Sequence, residues 1–250
     1  MTILNHCTLV LHPRYEALHD FMLSLPARFA RGEGTLIHDG RNQLRRITYG
    51  GTEYVVKAFR RPNVVNRWVY GWLRPSKALR AYRNALRYQE AGVGTPQPVG
   101  YLNLRHGLAF GESYFVTLVS PCPWRYEDLF THHFDYADDV LREIGRVTGV
   151  LHDHGMAHLD YGRANILFER LSDGRIHLDI VDLNRMRFGH LDVRRGCKNF
   201  ERLPATAHMH RVMAEAYARE RGFDADECYR LMRRYRRTQP GQVPGEFSEE

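Results

Sequence analysis

At 250 residues, with 36 Lys and Arg against 29 Asp and Glu for a formal charge of +7, the chain exceeds an average domain and can bury a sizeable core as a single two-lobed body. The basic excess points to an anionic partner, and at this level nucleic acid, an anionic membrane surface and an acidic small substrate fit equally. Four scattered cysteines (Cys7, Cys122, Cys197 and Cys228) without a C-x-x-C pair exclude a disulfide framework and a structural zinc site, and no stretch approaches the ~20 apolar residues of a membrane span. A soluble protein of the reducing cytosol is expected.

In chain order, Leu18, Phe21, Met22 and Leu25 follow a helical spacing, which predicts an amphipathic helix over Tyr15 to Leu25 that stops before Pro26. From Thr35 to Phe59 short apolar runs are broken at Asp39-Gly40 and at Tyr49-Gly50-Gly51, the punctuation of hairpins, so three antiparallel strands are expected. Period-two alternation in the third of them puts Val55, Lys57 and Phe59 on one face and Tyr54, Val56 and Ala58 on the other. A lysine among apolar strand neighbours is either a solvent-facing edge residue or a paired functional cation. Its place on a third strand, two residues after an apolar side chain, matches the lysine that nucleotide-binding kinases set against phosphate.

Residues 60 to 88 carry eight bases and no acid, interrupted by Trp68, Tyr70 and Trp72. Such a mixture suits a membrane interface or a nucleic-acid surface, and equally a solvated basic helix face with its aromatics packed inward. A helix is expected from Ser76 to Gly92, strands over Pro98 to Leu104 and Ser113 to Val119, and an irregular connection over Ser120 to Trp124. The stripe Val140, Ile144, Val147 and Leu151 predicts a helix over Asp139 to His152.

Then comes His158-Leu159-Asp160-Tyr161-Gly162-Arg163-Ala164-Asn165. Asp173-Gly174 makes a hairpin of the runs Ile166 to Phe168 and Ile176 to Val181, which brings Asn165 and Asp182 to neighbouring strand ends. An acid, an amide and a second acid so placed suit phosphate and its metal. Arg163, three residues after Asp160, is within reach of a γ-phosphate or an acidic sugar, or pairs with a nearby acid. The spacing of His152, His154 and His158 fits neither H-E-x-x-H nor a Cys/His finger, and His158 reads as a structural brace for the loop. Helices are expected over Ala205 to Arg221 and from Asp224, whose Glu227 three residues on makes a capping box. A disordered tail is expected from residue 239.

Strand-borne Lys57, the His158-x-Asp160-x-x-x-x-Asn165 loop and Asp182 in Ile180-Val181-Asp182-Leu183-Asn184 resemble the protein-kinase-like fold. With Ser76-Lys77-Ala78, Gly94-Thr95-Pro96-Gln97-Pro98 and Gly196-Cys197-Lys198-Asn199-Phe200, nearly the whole chain resembles the bacterial lipopolysaccharide kinases, which phosphorylate Kdo or heptose of the inner core. The resemblance implies an α+β, two-lobed protein-kinase-like fold with a small antiparallel-sheet N-lobe of about five strands (residues 1–120) and a mainly helical C-lobe (121–238). It implies ATP and Mg²⁺ as cofactors. Asp160 would receive or orient the acceptor hydroxyl, and Asn165 and Asp182 would hold the metal. Lys57 would hold the α- and β-phosphates, with Val55 against the adenine and Gly40 with its neighbouring amides in place of a glycine-rich phosphate loop. The acceptor would be a lipid-linked, anionic core sugar met in the cytoplasm, with the protein peripheral on the inner face of the inner membrane, and no nucleic-acid partner. Where the family carries an acid on the helix after the lysine strand, this chain has Arg83, with Glu90 two turns further on. The rival readings are a non-catalytic pseudokinase binding a partner or membrane, and a protein or small-molecule kinase of the same fold.

Overall fold

A computed structural model of the chain describes residues 7–59, 75–106 and 109–237. Expectations for residues 60–74 of the basic, tryptophan-bearing segment, for the turn at Gly107 and for the tail from residue 239 lie outside the described residues. Proximity of α-carbons divides the chain into two units, residues 1–86 with 96–119, and residues 87–95 with 120–250.

The first unit is built on one antiparallel sheet of six strands: β1 (Cys7–Leu11), β2 (Thr35–Asp39), β3 (Asn42–Tyr49), β4 (Thr52–Phe59), β5 (Pro98–His106) and β6 (Ala109–Leu118). Their spatial order is β1-β5-β6-β4-β3-β2. The alternation read in β4 sets its two faces. Tyr54 and Val56 are buried with Val116 of β6 and with Phe21, Met22 and Leu25 of the helix α1 (His19–Ala30). Phe59, on the other face, is buried with Tyr101 and with Ala78 and Tyr82 of the helix α2 (Lys77–Glu90). Each of the Phe, Met, Leu and Val side chains among these contributes about 1.5–3 kcal/mol on burial. Lys57 thus shares the face of β4 that α2 covers. Ser76 caps α2, its hydroxyl accepting from the Leu79 amide at 2.9 Å.

Two local expectations are corrected, and one element is added. The first helix does not run from Tyr15 to Leu25: residues 13–18 form a 3₁₀ turn, and α1 starts at His19 and continues through Pro26 to Ala30. The proline leaves the Met22 carbonyl without its helical donor, a loss offset by burial of Phe21, Met22 and Leu25. The sheet has six strands, because Cys7–Leu11 pairs antiparallel with β5, from Cys7 opposite Leu104 to Leu11 opposite Gly100. In the second unit a short helix, residues 193–198, stands before the one expected from Ala205, capped by Asp192, whose carboxylate accepts from the Arg195 amide at 2.8 Å.

The second unit contains β7 (Trp124–Arg125), α3 (Ala137–Asp153), β8 (Met156–His158), β9 (Ile166–Arg170), β10 (Ile176–Ile180), β11 (Met186–Phe188), α4 (Val193–Lys198), α5 (Ala207–Arg221) and α6 (Ala225–Tyr235). The predicted hairpin of β9 and β10 forms in the register Ile166 opposite Ile180, and β8 pairs with β11, His158 opposite Met186. Val140, Ile144, Val147 and Leu151 of α3 are buried as its stripe requires.

The segment just after α2 lies against β10. The Gly94 carbonyl accepts from the Ile180 amide at 3.0 Å, and the Thr95 hydroxyl donates to the Ile180 carbonyl at 2.8 Å. A Cβ on residue 94 would fall 1.9 Å from the Leu178 carbonyl oxygen, a backbone atom that cannot yield without moving the strand preceding Asp182. Gly94→Ala is expected to cost about 2–3 kcal/mol, measured by urea denaturation; an unchanged midpoint would show that β10 is not held by this contact.

Candidate active site

In the second unit the loop after β8 is fixed from both ends by side-chain bonds. The Asp160 amide donates to His158 Nδ1 at 3.1 Å, so the proton of this imidazole sits on Nε2, which donates to the Val181 carbonyl at 3.1 Å. His158 is buried, and burial holds its pKa below the ordinary value against the pull of the Val181 carbonyl, Asp182 and Asp160. A neutral ring is what the geometry needs, because a protonated Nδ1 would confront the Asp160 N–H. Val181 immediately precedes Asp182, so one histidine ties the Asp160 loop to the Asp182 strand end.

Asn165 completes that link. Its side-chain amide donates to the Asp160 carbonyl at 2.8 Å, and its own carbonyl accepts from the Val181 amide at 3.0 Å. The amide nitrogen is thereby committed, and Oδ1 is the group's remaining ligand atom. Asp182 has φ +61°, the only non-glycine among the described residues with positive φ, and its carboxylate accepts from Asn184 Nδ2. A non-glycine backbone held in this region is a mark of functional loops. One amide oxygen and one carboxylate at adjoining strand ends form a hard oxygen donor set, which suits Mg²⁺ and does not suit a soft or thiophilic metal.

Behind the loop lies a second layer that sequence reasoning did not find. Asn199 donates from Nδ2 to the His158 carbonyl at 2.8 Å and accepts at Oδ1 from His152 Nε2 at 2.9 Å, while His152 Nδ1 accepts from the Tyr217 hydroxyl at 2.8 Å. Tyr161 donates to Thr148 Oγ1 at 2.8 Å, and Thr148 donates to the Ile144 carbonyl at 2.6 Å. The loop is thus pinned to α3 and α5. The only signal in the sequence was Asn199 itself, within a segment noted for its resemblance; His152 and Tyr217 carry no local pattern that marks them as its partners.

Burial pushes the His152 pKa down to about 4, assisted by Arg221 and opposed by the bond to Asn199. Burial, with Arg233 and Arg236 nearby, also takes His210 down to about 4. In the unfolded chain both titrate near the ordinary histidine value of 6.5, so as pH falls the unfolded state takes protons that the native state refuses. The stability contributed by keeping these rings neutral is therefore complete above about pH 6.5 and is lost progressively toward about pH 4, by up to ~3 kcal/mol per ring. Urea denaturation at a series of pH values is expected to show this loss, and His152→Asn a shallower one. A midpoint flat across the window would contradict it.

Two arginines meet the Asp160 carboxylate. Arg202 Nη1 donates to Oδ1, and Arg185 Nη1 lies 3.9 Å from Oδ2. Neither was singled out from the sequence. Arg163, which was, has Nε 3.5 Å from Glu127 Oε2 and is itself well exposed, so the structure places it with an acid.

In the first unit, Gly40 lies in the turn between β2 and β3, its amide directed to the Asn42 carbonyl at 3.2 Å. Val55 and Lys57 are half-buried on one face of β4, with Lys57 Nζ 5.5 Å from the centre of the Phe59 ring. Arg83 is exposed on α2, and Glu90 is exposed at its last residue.

The family model described as "Lipopolysaccharide kinase (Kdo/WaaP) family" matches residues 39–235. A search of curated proteins found no match. Among solved structures, WaaP in complex with acyl carrier protein is similar over 91% of this chain and 97% of that one, with a TM-score of 0.63 and 20% identity. The Rio2 kinase-ADP/Mg²⁺-phosphoaspartate complex from Chaetomium thermophilum is matched over 88% of this chain and 63% of that one, with a TM-score of 0.48 and 13% identity. The fold is α+β of the protein-kinase-like kind, with an antiparallel-sheet N-terminal part and a mainly helical C-terminal part. No helix among the described residues is long and apolar enough to cross a membrane.

Proposed function

Because the chain belongs to the lipopolysaccharide kinase (Kdo/WaaP) family, we propose that it transfers the γ-phosphoryl group of ATP to a sugar hydroxyl, of Kdo or heptose, in the lipopolysaccharide inner core. The observation that carries this reading is the loop from His158 to Asn165 bonded to the strand end at Asp182, which sets a carboxylate, an amide oxygen and a second carboxylate on one hydrogen-bonded frame. Phosphoryl transfer asks little covalent chemistry of a protein; it needs in-line positioning and neutralisation of charge on the transferring group.

In this mechanism Asp160 orients the acceptor hydroxyl and receives its proton as the oxygen bonds to the γ-phosphorus, while the bond to the β-phosphate oxygen breaks and its electron pair leaves on ADP. Asn165 Oδ1 and the Asp182 carboxylate would hold Mg²⁺, which supplies charge neutralisation to the phosphates. Lys57 takes the α- and β-phosphates, Val55 lies against the adenine, and the amides around Gly40 serve as a phosphate cradle. His158 keeps the Asp160 and Asp182 backbones in register, and Asn199 and Tyr161 keep that frame from tilting. An arginine at position 83 does not reproduce the acid that orients the strand lysine in relatives, so Lys57 depends on other contacts for its placement. The substrate is lipid-anchored and anionic, which fits a cytoplasmic protein that visits the inner membrane surface, with the basic segment before α2 as its contact.

The test is transfer of radiolabel from the γ-position of ATP, in the presence of Mg²⁺, to purified inner-core acceptor and, in parallel, to a generic protein acceptor. Label in the core sugar is expected. Label in protein alone would favour a protein kinase, and nucleotide binding without transfer to either would favour a pseudokinase.

A further inference from the structure

Strand register in the second unit places Glu169 of β9 directly opposite His177 of β10, so the two side chains leave the same face of the hairpin as neighbours. β7 pairs with β9, Trp124 opposite Phe168, which carries the chain entering β7 past that pair. Cys122 lies on this entering segment. A thiol, an imidazole and a carboxylate are thereby brought together, their ligand atoms all within 4.8 Å of one another. Cys122 is buried, while Glu169 and His177 are half-buried, so the group is reached from solvent past the latter two.

The charges around it are unbalanced in one direction. Asp179, two residues after His177 and on the same face of β10, is buried, with Oδ1 3.4 Å from His177 Nε2 and Oδ2 accepting from the Ser120 hydroxyl at 2.6 Å. Among the described residues no Lys or Arg is within ion-pair distance of Asp179, and the Glu169 side chain has neither an ion pair nor a hydrogen bond. Two carboxylates without a guanidinium or an ammonium, in a chain with 36 Lys and Arg, call for a cation of another kind. Cysteine, histidine and glutamate together also serve nucleophilic catalysis, but that chemistry needs the thiol bonded to the imidazole. Here Cys122 Sγ donates to the His177 carbonyl, at 3.9 Å.

We propose that Cys122, Glu169 and His177 bind one Zn²⁺ ion, with Asp179 as the outer carboxylate that orients the histidine. Thiolate, imidazole and carboxylate are the ligand types of zinc, and a sulfur ligand turns away Mg²⁺. One thiolate and one carboxylate cancel the charge of the ion. Around a tetrahedral zinc, with bonds of ~2.0–2.3 Å, ligand atoms stand about 3.3–3.8 Å apart, a closure that side-chain rotations of Glu169 and His177 supply. On binding, the thiol proton leaves to solvent as the sulfur–zinc bond forms, and water fills the fourth position. Sequence spacing points away from a zinc site because 55 positions separate Cys122 from His177; the sheet of β7, β9 and β10 assembles it instead. The ion ties the segment entering β7 to the hairpin that carries Asn165 and Asp182 at its ends. This site goes beyond the phosphoryl-transfer reading and does not depend on it.

The experiment is titration of the chelator-stripped full chain with Zn²⁺ and, as a spectroscopic probe, with Co²⁺, both in excess Mg²⁺ so that the oxygen ligands at Asn165 and Asp182 do not contribute. About one equivalent of Zn²⁺ per chain is expected, with a thermal midpoint raised by about 5 °C when free Zn²⁺ is ~100-fold above its Kd. Co²⁺ is expected to give the sulfur-to-metal charge-transfer absorption of a thiolate ligand. Cys122→Ser is expected to abolish that absorption and to weaken Zn²⁺ binding by more than about 100-fold, and Asp179→Asn to weaken it by about 10–100-fold. Glu169→Gln, at a half-buried position, reads the same loss of affinity should the buried Cys122→Ser variant not fold. Absence of stoichiometric Zn²⁺ binding, or a cobalt complex without the charge-transfer absorption, would overturn the site. Binding that persists unchanged in Cys122→Ser and Glu169→Gln would also overturn it and assign the metal to other side chains.

Discussion

Asp160→Ala is expected to lower kcat by about 10²–10⁴-fold with little change in stability. The contacts that shape the loop around this residue use its backbone, not its carboxylate: the amide donates to His158 Nδ1, and the carbonyl accepts from Asn165 Nδ2. Both survive the substitution. What is lost from the folded protein is the pairing with Arg202 and Arg185, whose side chains are substantially exposed, and exposed pairs contribute about 0–1 kcal/mol. A large loss of turnover with a urea midpoint near that of the wild type therefore separates a chemical role from a structural one. Comparable losses of activity and stability would mean that Asp160 serves the fold, and an unchanged kcat would remove it from the reaction.

Asp182→Asn is expected to lower activity by about 10³-fold, the scale of removing a preorganised charge from a phosphoryl-transfer site, and to raise the Mg²⁺ concentration needed for half-maximal rate. Asparagine is the informative replacement. Residue 182 has φ +61°, a conformation that Asn and Asp adopt far more readily than other residues with a Cβ, so the variant changes the charge without adding backbone strain. Alanine there would combine both effects. Kinetics over a Mg²⁺ series make the distinction: a lower rate with unaltered metal dependence would show that Asp182 does not hold the ion.

These residues were legible because their arrangement is local. The four residues between Asp160 and Asn165 and the hairpin at Asp173-Gly174 are short-range features, and the register that brings Val181 to Asn165 follows from alternation and turn chemistry alone. The face of β4 bearing Lys57 was legible for the same reason. Arg202 and Arg185 were not. Arg202 is 42 positions from Asp160 in sequence, is half-exposed, and is one of 36 basic residues; nothing in its neighbours distinguishes it from a solvated surface charge. The bond from His152 to Asn199 spans 47 positions and depends on the packing of α3, which a periodicity argument orients only roughly. Strand β1 escaped because its partner, β5, lies some ninety residues away and no turn residues join them. Pro26 misled in the opposite direction: a strong local stop signal was overridden by burial of the α1 face.

This chain is expected to add one phosphate to a lipopolysaccharide core sugar and to need Asp160 to do so. Mass spectrometry of core oligosaccharide from cells lacking the gene, complemented either with the wild type or with Asp160→Ala, tests it most directly. The wild type is expected to restore a species heavier by one phosphate, and Asp160→Ala, expressed at the same level, is not. Identical core profiles with and without the gene, or full restoration by Asp160→Ala, would contradict it.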